Sequence, residues 1–210
     1  MTRHCHPPCA SLQPATARTG CSRVPTVLAR SSYFYHRAAL KAGDKYATIR
    51  TMLTDITEFQ LPAGKVWLSP VVDCFDGKVV SWSLSTRPDA ELVNTMLDNA
   101  AETLNAGERS VIHSDRGGHY RWPGWLERVN AAGLIRSISR KGCTPDNAAC
   151  EGFFGRLNTE MYYGRKWSGI TPEKFMQQVD AYIRWYNERR IKLSLGAVSP
   201  EMYRQQCGLA

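Results

Sequence analysis

The chain has 210 residues and a mass of 23.6 kDa, room for one domain of ordinary size with an arm or for two small domains. With 43% hydrophobic and 22% charged residues it reads as a globular protein that buries its core without staples. No apolar run approaches the roughly 18 residues of a spanning helix. The formal charge of +8 is unevenly placed: residues 1–50 carry 8 Lys and Arg against Asp44 alone, residues 51–115 carry 4 against 10 acids, and residues 116–210 carry 15 against 8. Basic flanks around an acidic centre suit a polyanionic partner and a carboxylate cluster that cations must neutralise. Seven scattered cysteines, an odd count, fit reduced thiols in a cytoplasm. His4, Cys5, His6, Cys9 and Cys21 match no standard zinc spacing.

Along the chain, residues 1–31 carry Pro7, Pro8, Pro14 and Pro25 without apolar periodicity and read as a disordered arm. A short helix is expected at Tyr33–Lys45, so that residues 1–45 form a basic arm ahead of a domain over 46–210. Residues 51–60 and 66–75 are β-rich, and Asp76-Gly77 supplies a hairpin turn into Lys78–Ser85. Asp89 caps a helix reaching about Asn105, with Leu92, Met96, Leu97 and Ala100 inside. A short strand over Ser110–His113 ends at Ser114-Asp115-Arg116-Gly117-Gly118. A helix bearing Trp125, Leu126 and Val129 follows, then a strand near Leu134–Ile138. The loop Ser139–Pro145 leads into a helix from about Asn147 to Tyr163. Thr171-Pro172 opens a last long helix with the stripe Phe175, Val179, Tyr182, Ile183, Tyr186, and Ser199-Pro200 opens a short closing one. Three antiparallel strands followed by alternating strands and helices specify an α/β fold, a mixed five-stranded sheet flanked by helices.

Three carboxylates stand out. Asp55 falls within the first, central strand, Asp115 just beyond the fourth, and Glu151 in the first turns of the following helix. Each has an ordinary alternative: an exposed strand residue, the start of a turn, a charge near a helix N-terminus. A carboxylate in a buried strand is costly unless paired or metal-bound, which favours a shared site. At 100° per residue, Glu151, Gly155, Asn158 and Tyr162 share one helix face, beside the apolar Phe153, Phe154, Leu157 and Met161. Three carboxylates at strand ends make an oxygen-rich site suited to Mg²⁺ or Mn²⁺. Asp73 and Asp76 read as strand-end and turn residues. Trp122, Trp125, Trp167 and Trp185 read as core, with base stacking as the alternative. His113 and His119 flank Asp115 and read as equally suited to touching DNA or water and to a structural or solvated role. Arg136, Arg140, Lys141, Arg156, Arg165 and Lys166 read as a solvated basic face, with phosphate contact as the alternative that the resemblance below favours.

Leu53-Thr54-Asp55-Ile56-Thr57-Glu58-Phe59, His113 to Tyr120 and Asp146 to Phe154 resemble the three catalytic blocks of transposases of the "insertion-sequence three" family, within the retroviral-integrase superfamily. Tyr186-Asn187-Glu188-Arg189-Arg190 with Leu195-Gly196 and Ser199-Pro200 is similar to that family's closing motif. The 35-residue gap between Asp115 and Glu151 matches the superfamily's spacing, and the resemblance covers about residues 51–206. It implies a ribonuclease-H-like fold, with an integrase-type catalytic domain and a C-terminal helical extension over 46–210. The activity implied is cleavage and strand transfer of DNA by a DDE transposase. Asp55, Asp115 and Glu151 would be the catalytic residues and the ligands of two Mg²⁺ or Mn²⁺ ions. Arg140, Lys141, Arg156 and Lys166 would contact DNA, and Asn147, His113 and Asn158 would support the carboxylates from behind.

The partners implied are double-stranded DNA at the element ends and target, further copies of the chain on that DNA, and the product of an upstream frame. The setting implied is a bacterial cytoplasm, at the nucleoid when DNA-bound. The family carries a helix-turn-helix segment ahead of this domain. Ser31 to Arg37 resembles its lead-in, while Tyr46–Arg50 runs almost directly into the first strand, so the segment reads as missing. Where the family often has Lys or Arg, this chain has Asn158. Two rival readings stay open: a catalytically silent DNA-binding or dimerising remnant, and a ribonuclease H acting on RNA–DNA hybrids.

Overall fold

The computed structural model describes residues 50–105, 108, 110–139 and 148–209. The expected arm, the helix at Tyr33–Lys45, Arg140, Lys141 and Asn147 therefore lie outside the described residues.

The strands are β1 (Arg50–Thr54), β2 (Thr57–Leu61), β3 (Gly64–Asp73), β4 (Val79–Ser85), β5 (Ser110–Ser114) and β6 (Ile135–Ile138). The helices are α1 (Ala90–Ala101), α2 (Pro123–Ala131), α3 (Ala148–Leu157), α4 (Pro172–Glu188) and α5 (Pro200–Gln206). A π-helical turn, Asn158–Tyr162, extends α3. The long β3 pairs antiparallel with β4, β1 and β2, and parallel pairing then adds β5 to β1 and β6 to β5.

The expected five strands become six because the first one is interrupted. β1 and β2 pair with β3 in one continuous register, Thr54 opposite Val71 and Thr57 opposite Leu68, which leaves Asp55 and Ile56 facing Pro70 and Ser69. Pro70 has no N–H for the ladder. The Asp55 carboxylate also captures the next backbone N–H, Ile56 N to Oδ1 at 2.8 Å. Such a local bond competes with strand pairing. Asp55 thus stands at a break beside the strand in which the sequence places it.

Side-chain alternation sends Met52, Val71 and Ile112 to one face, where they pack with Met96 and Leu97 of α1 and Trp125 and Val129 of α2. Leu53, Phe59, Val66 and Leu68 go to the other, under Cys150, Phe153 and Leu157 of α3 and the full expected stripe of α4. Capping matches the sequence signals: Asp89, Thr171 and Ser199 accept from Leu92, Lys174 and Met202 backbone N–H groups. Pro172 and Pro200 occupy first helical positions, where a missing N–H costs nothing.

One face assignment fails. The wider π turn rotates Tyr162 off the Glu151 face and against the sheet. Its ring meets the edge of Phe59 at 5.2 Å, and its hydroxyl donates to Gln60 O at 2.6 Å.

Candidate active site

Parallel pairing of β1 with β5 sets Leu53 opposite His113 and Thr54 opposite Ser114. The next residue on each strand is an aspartate, so Asp55 and Asp115 leave the same end of the sheet side by side. Each lies two residues beyond a side chain on the α3-bearing face. Glu151 enters from above, on the first turn of α3, whose Cys150 and Phe153 are buried in that face. The Asp55 charge is felt on both sides of this end, by Cys150 of α3 and by Tyr120 beyond β5. Burial pushes the Cys150 thiol well up, and the Asp55 and Glu151 charges push it further. Burial likewise raises the Tyr120 phenol, with Asp55 and Asp115 adding to the effect against an opposing hydrogen bond from Thr54.

Asp115 is fixed locally. Gly117 N donates to its Oδ1 at 2.7 Å, and a Cβ on Gly117 would stand 2.8 Å from that oxygen. A side chain at 117 would therefore expel the carboxylate from this pose. Asp115 and Glu151 make no ion pair among the described residues. Among the described residues no group of three or more His, Cys, Asp or Glu side chains is gathered tightly enough to hold a metal ion. The β1–β5 register brings Asp55 and Asp115 to one end of the sheet, and Glu151 is exposed on the first turn of the helix that packs over it.

The surroundings are polar and tied down. His113 sits with its Nδ1 2.8 Å from Ser137 Oγ and its Nε2 2.9 Å from Ser139 Oγ. It anchors the end of β6, from which the chain departs toward α3. Arg116 Nε donates to Ser139 O at 2.9 Å. His119, which the sequence leaves between solvent and DNA, lies 3.0 Å from Pro88 O by Nε2 and packs edge-on to Trp122. Asn158 opens the π turn and is half-buried. Of the expected basic face, Arg156 turns back to donate to Gly152 O at 2.6 Å. Arg136 donates to Tyr120 O at 2.9 Å, and Arg165 and Lys166 are exposed. Trp125 and Trp167 are core residues, whereas Trp185 is 42% exposed.

Sequence reasoning missed two features near the carboxylates. Tyr120 is buried under the strand ends, its hydroxyl 3.4 Å from that of Thr54. It closes the block that starts at His113, five residues after Asp115, and only the β1–β5 register reveals its neighbour. Cys150, immediately before Glu151, is fully buried and sets the helix face that leaves Glu151 exposed.

The integrase core domain family matches residues 46–143 and again 151–207. The chain is 64% identical over 157 residues to a probable transposase of insertion sequence element IS1353 from Shigella flexneri, covering 75% of this chain and 30% of that protein. It is 39% identical over 153 residues to a transposase-like protein of Haemophilus influenzae, covering 73% of this chain and 69% of that one. The chain thus spans under a third of the first relative's length. Its fold superposes on the HTLV-2 integrase catalytic core with a TM-score of 0.54 at 16% identity, over 73% of this chain and 95% of that one. This identifies the sheet and its helices as ribonuclease-H-like. Aspartates closing two neighbouring parallel strands, a glutamate on the helix above them and these matches have one common account: the chain belongs to the insertion-sequence transposases and carries their integrase-type catalytic core.

Proposed function

We propose that this chain cleaves DNA at the ends of a mobile element and joins the freed strands to a target, with Asp55, Asp115 and Glu151 as catalytic residues. The observation that carries the reading is the in-register β1–β5 pairing, which delivers two aspartates to one strand end beneath the glutamate-bearing helix. The donor set is all carboxylate oxygen, which fits Mg²⁺ or Mn²⁺ and disfavours soft metals. The HTLV-2 core with the similar fold is described in complex with magnesium. Asp55, Asp115 and Glu151 would hold two such ions, which supply activation of a water or DNA 3′-hydroxyl and stabilisation of the departing oxygen.

The protein's own part is placement. Gly117 N orients Asp115, Ile56 N orients Asp55, and buried Cys150 and Phe153 fix the rotation of α3 that presents Glu151. Attack by water or by a 3′-hydroxyl needs no nucleophilic Ser or Tyr, so no covalent protein–DNA intermediate forms. His113 supports the site from behind by anchoring β6. Asn147 and Asn158 complete that support, and Arg140, Lys141, Arg156 and Lys166 hold the DNA backbone. In this reading several copies assemble on the DNA, with an upstream-frame product as a further partner, at the nucleoid of a bacterial cell. No helix among the described residues is long and apolar enough to cross a membrane.

The test is Mg²⁺-dependent cleavage and strand transfer on duplexes bearing the element's terminal repeats, comparing the wild type with Asp115→Asn. Expected are nicked and joined products from the wild type and none from the variant. DNA binding without cleavage by the wild type would instead select the catalytically silent remnant.

A further inference from the structure

Resting on the reading of a DNA-acting core, we propose that Lys192 joins Arg156 to form a phosphate seat that grips a DNA backbone beside the Glu151 helix. Arg156 lies five residues beyond Glu151 on α3, about 7.5 Å along the axis at 1.5 Å per residue. It folds back along its own helix to Gly152 O, where a Cβ on residue 152 would stand 3.2 Å from its Nη1. Lys192 reaches in from the segment joining α4 and α5. Its ammonium donates to Asp76 O and lies 5.8 Å from the Tyr186 ring centroid.

The charges that face this pair leave it in excess. Asp76, on the β3–β4 turn, is taken by Arg204, whose Nε lies 2.6 Å from its Oδ2. Glu160, on the π turn, is taken by Arg190, whose Nε reaches its two oxygens at 3.0 and 2.9 Å. Tyr186 supplies only a ring face to Arg190 and Lys192. Neither Arg156 nor Lys192 makes an ion pair with a carboxylate among the described residues. Tyr186 links the two sides: its ring meets Phe153, one turn before Arg156 on α3, at 5.2 Å, and Lys192 lies on that same ring. Two cations around one ring, without a carboxylate partner among the described residues, both half-buried and held by backbone carbonyls, are pre-arranged for an anion. In a DNA-acting core that anion is a backbone phosphate. The local field agrees. Burial, with Arg156 and Arg190 against the opposing Asp76, brings the Lys192 ammonium down to about 8. A bound phosphate relieves that repulsion.

The experiment measures duplex affinity of the full chain against salt, for the wild type, Arg156→Gln, Lys192→Gln and Lys192→Arg, with melting temperature recorded for each. Each Gln variant is expected to lower the slope of log affinity against log salt by about 0.9, because one phosphate fewer is neutralised. The wild type should lose affinity as pH rises through the lysine's range, and Lys192→Arg should keep the slope while abolishing that pH dependence. A residue that only packs on Tyr186 would move the melting temperature and leave slope and pH profile alone. Unchanged slopes in both Gln variants, with wild-type DNA binding intact, overturn the seat and leave the catalytic reading standing. Absence of DNA binding by the wild type overturns both.

Discussion

The two ends of the sheet both collect aspartates, and they handle them in opposite ways. At the far end from Asp55, where β3 finishes opposite the start of β1, Asp73 and Asp76 are 2% and 3% exposed. Arg204 of α5 donates to both, at 2.7 Å to Asp73 and 2.6 Å to Asp76, and Arg50 adds a bond of 2.6 Å to Asp73. Glu108 joins through Arg50, and Lys78 pairs with Glu201 on the rim. At the other end, Asp115 and Glu151 have no such arginine among the described residues and remain accessible. Buried carboxylates that the protein neutralises itself are fastenings, here of the β3–β4 turn to α5. Carboxylates left without an arginine are, in the proposed reading, tools kept for another cation.

That contrast breaks most sharply at the tools. Replacing Asp55 or Asp115 by Asn, or Glu151 by Gln, is expected to cut Mg²⁺-dependent cleavage by on the order of 10³-fold or more, about 4 kcal/mol of barrier. Melting temperature should hold or rise, and DNA affinity should hold or rise because one repelling charge is gone. A variant that keeps near-normal cleavage removes its residue from the site.

At the fastened end the pattern inverts. Asp76→Asn leaves Arg204, whose side chain is only 12% exposed, short of its closest counter-charge, and breaking a buried pair from one side costs about 3 kcal/mol or more. Denaturant unfolding should show that loss. Arg204→Met combined with Asp76→Leu should recover much of it, since a well-packed apolar pair replaces a buried ionic one at little cost. If Asp76→Asn is neutral in stability but inactive, the two ends are not the separate devices described.

Beside the fastened turn lies a hydrogen-bonded strap. Asn187 of α4 accepts from Val79 N at 2.9 Å and donates to Val79 O at 2.8 Å, closing the outer backbone of β4 where it begins. Asn187→Leu strands both backbone groups, for an expected loss of about 2 kcal/mol, with cleavage chemistry per folded molecule unchanged.

Much of this was legible in the residues, for reasons that differ by element. The α4 stripe was readable because all five apolar positions serve a single helix–sheet contact, and Asp89, Thr171 and Ser199 cap by local bonds that any sequence window contains. Asp115 and Glu151 were readable because strand end and helix start are local events, whereas the β1 break depends on Pro70, which faces Asp55 only through the register of β3. The same limit hid Arg204: Asp73 and Asp76 looked like turn residues, and their neutralising partner lies 131 and 128 positions away. The π turn was hidden for another reason. Nothing in Asn158–Tyr162 breaks helical periodicity, and the pull comes from the Phe59 ring and the Gln60 carbonyl on β2.

The smallest expected effect tests the pair that closes that π turn onto the end of α4. Arg190 and the Tyr182 hydroxyl both donate to Glu160, at 2.9 Å and 2.8 Å. The Arg190 hydrogen bonds come first among the causes that hold the Glu160 carboxyl below its ordinary value near 4.5, with the Tyr182 bond and the Arg190 charge assisting against burial. A carboxyl depressed in the folded state stabilises it above its unfolded pKa, and that contribution disappears as pH falls through the folded value. Glu160→Gln keeps the shape and removes the charge. It should cost about 0.5–1 kcal/mol at pH 7, as befits a partly exposed pair with good geometry. As pH falls through the depressed folded-state value the wild type surrenders the same interaction, so the gap between the two melting temperatures should narrow. A gap that stays constant from neutral to acid pH would assign the loss to packing of the π turn, and the ion pair would then contribute nothing to holding α3 against α4.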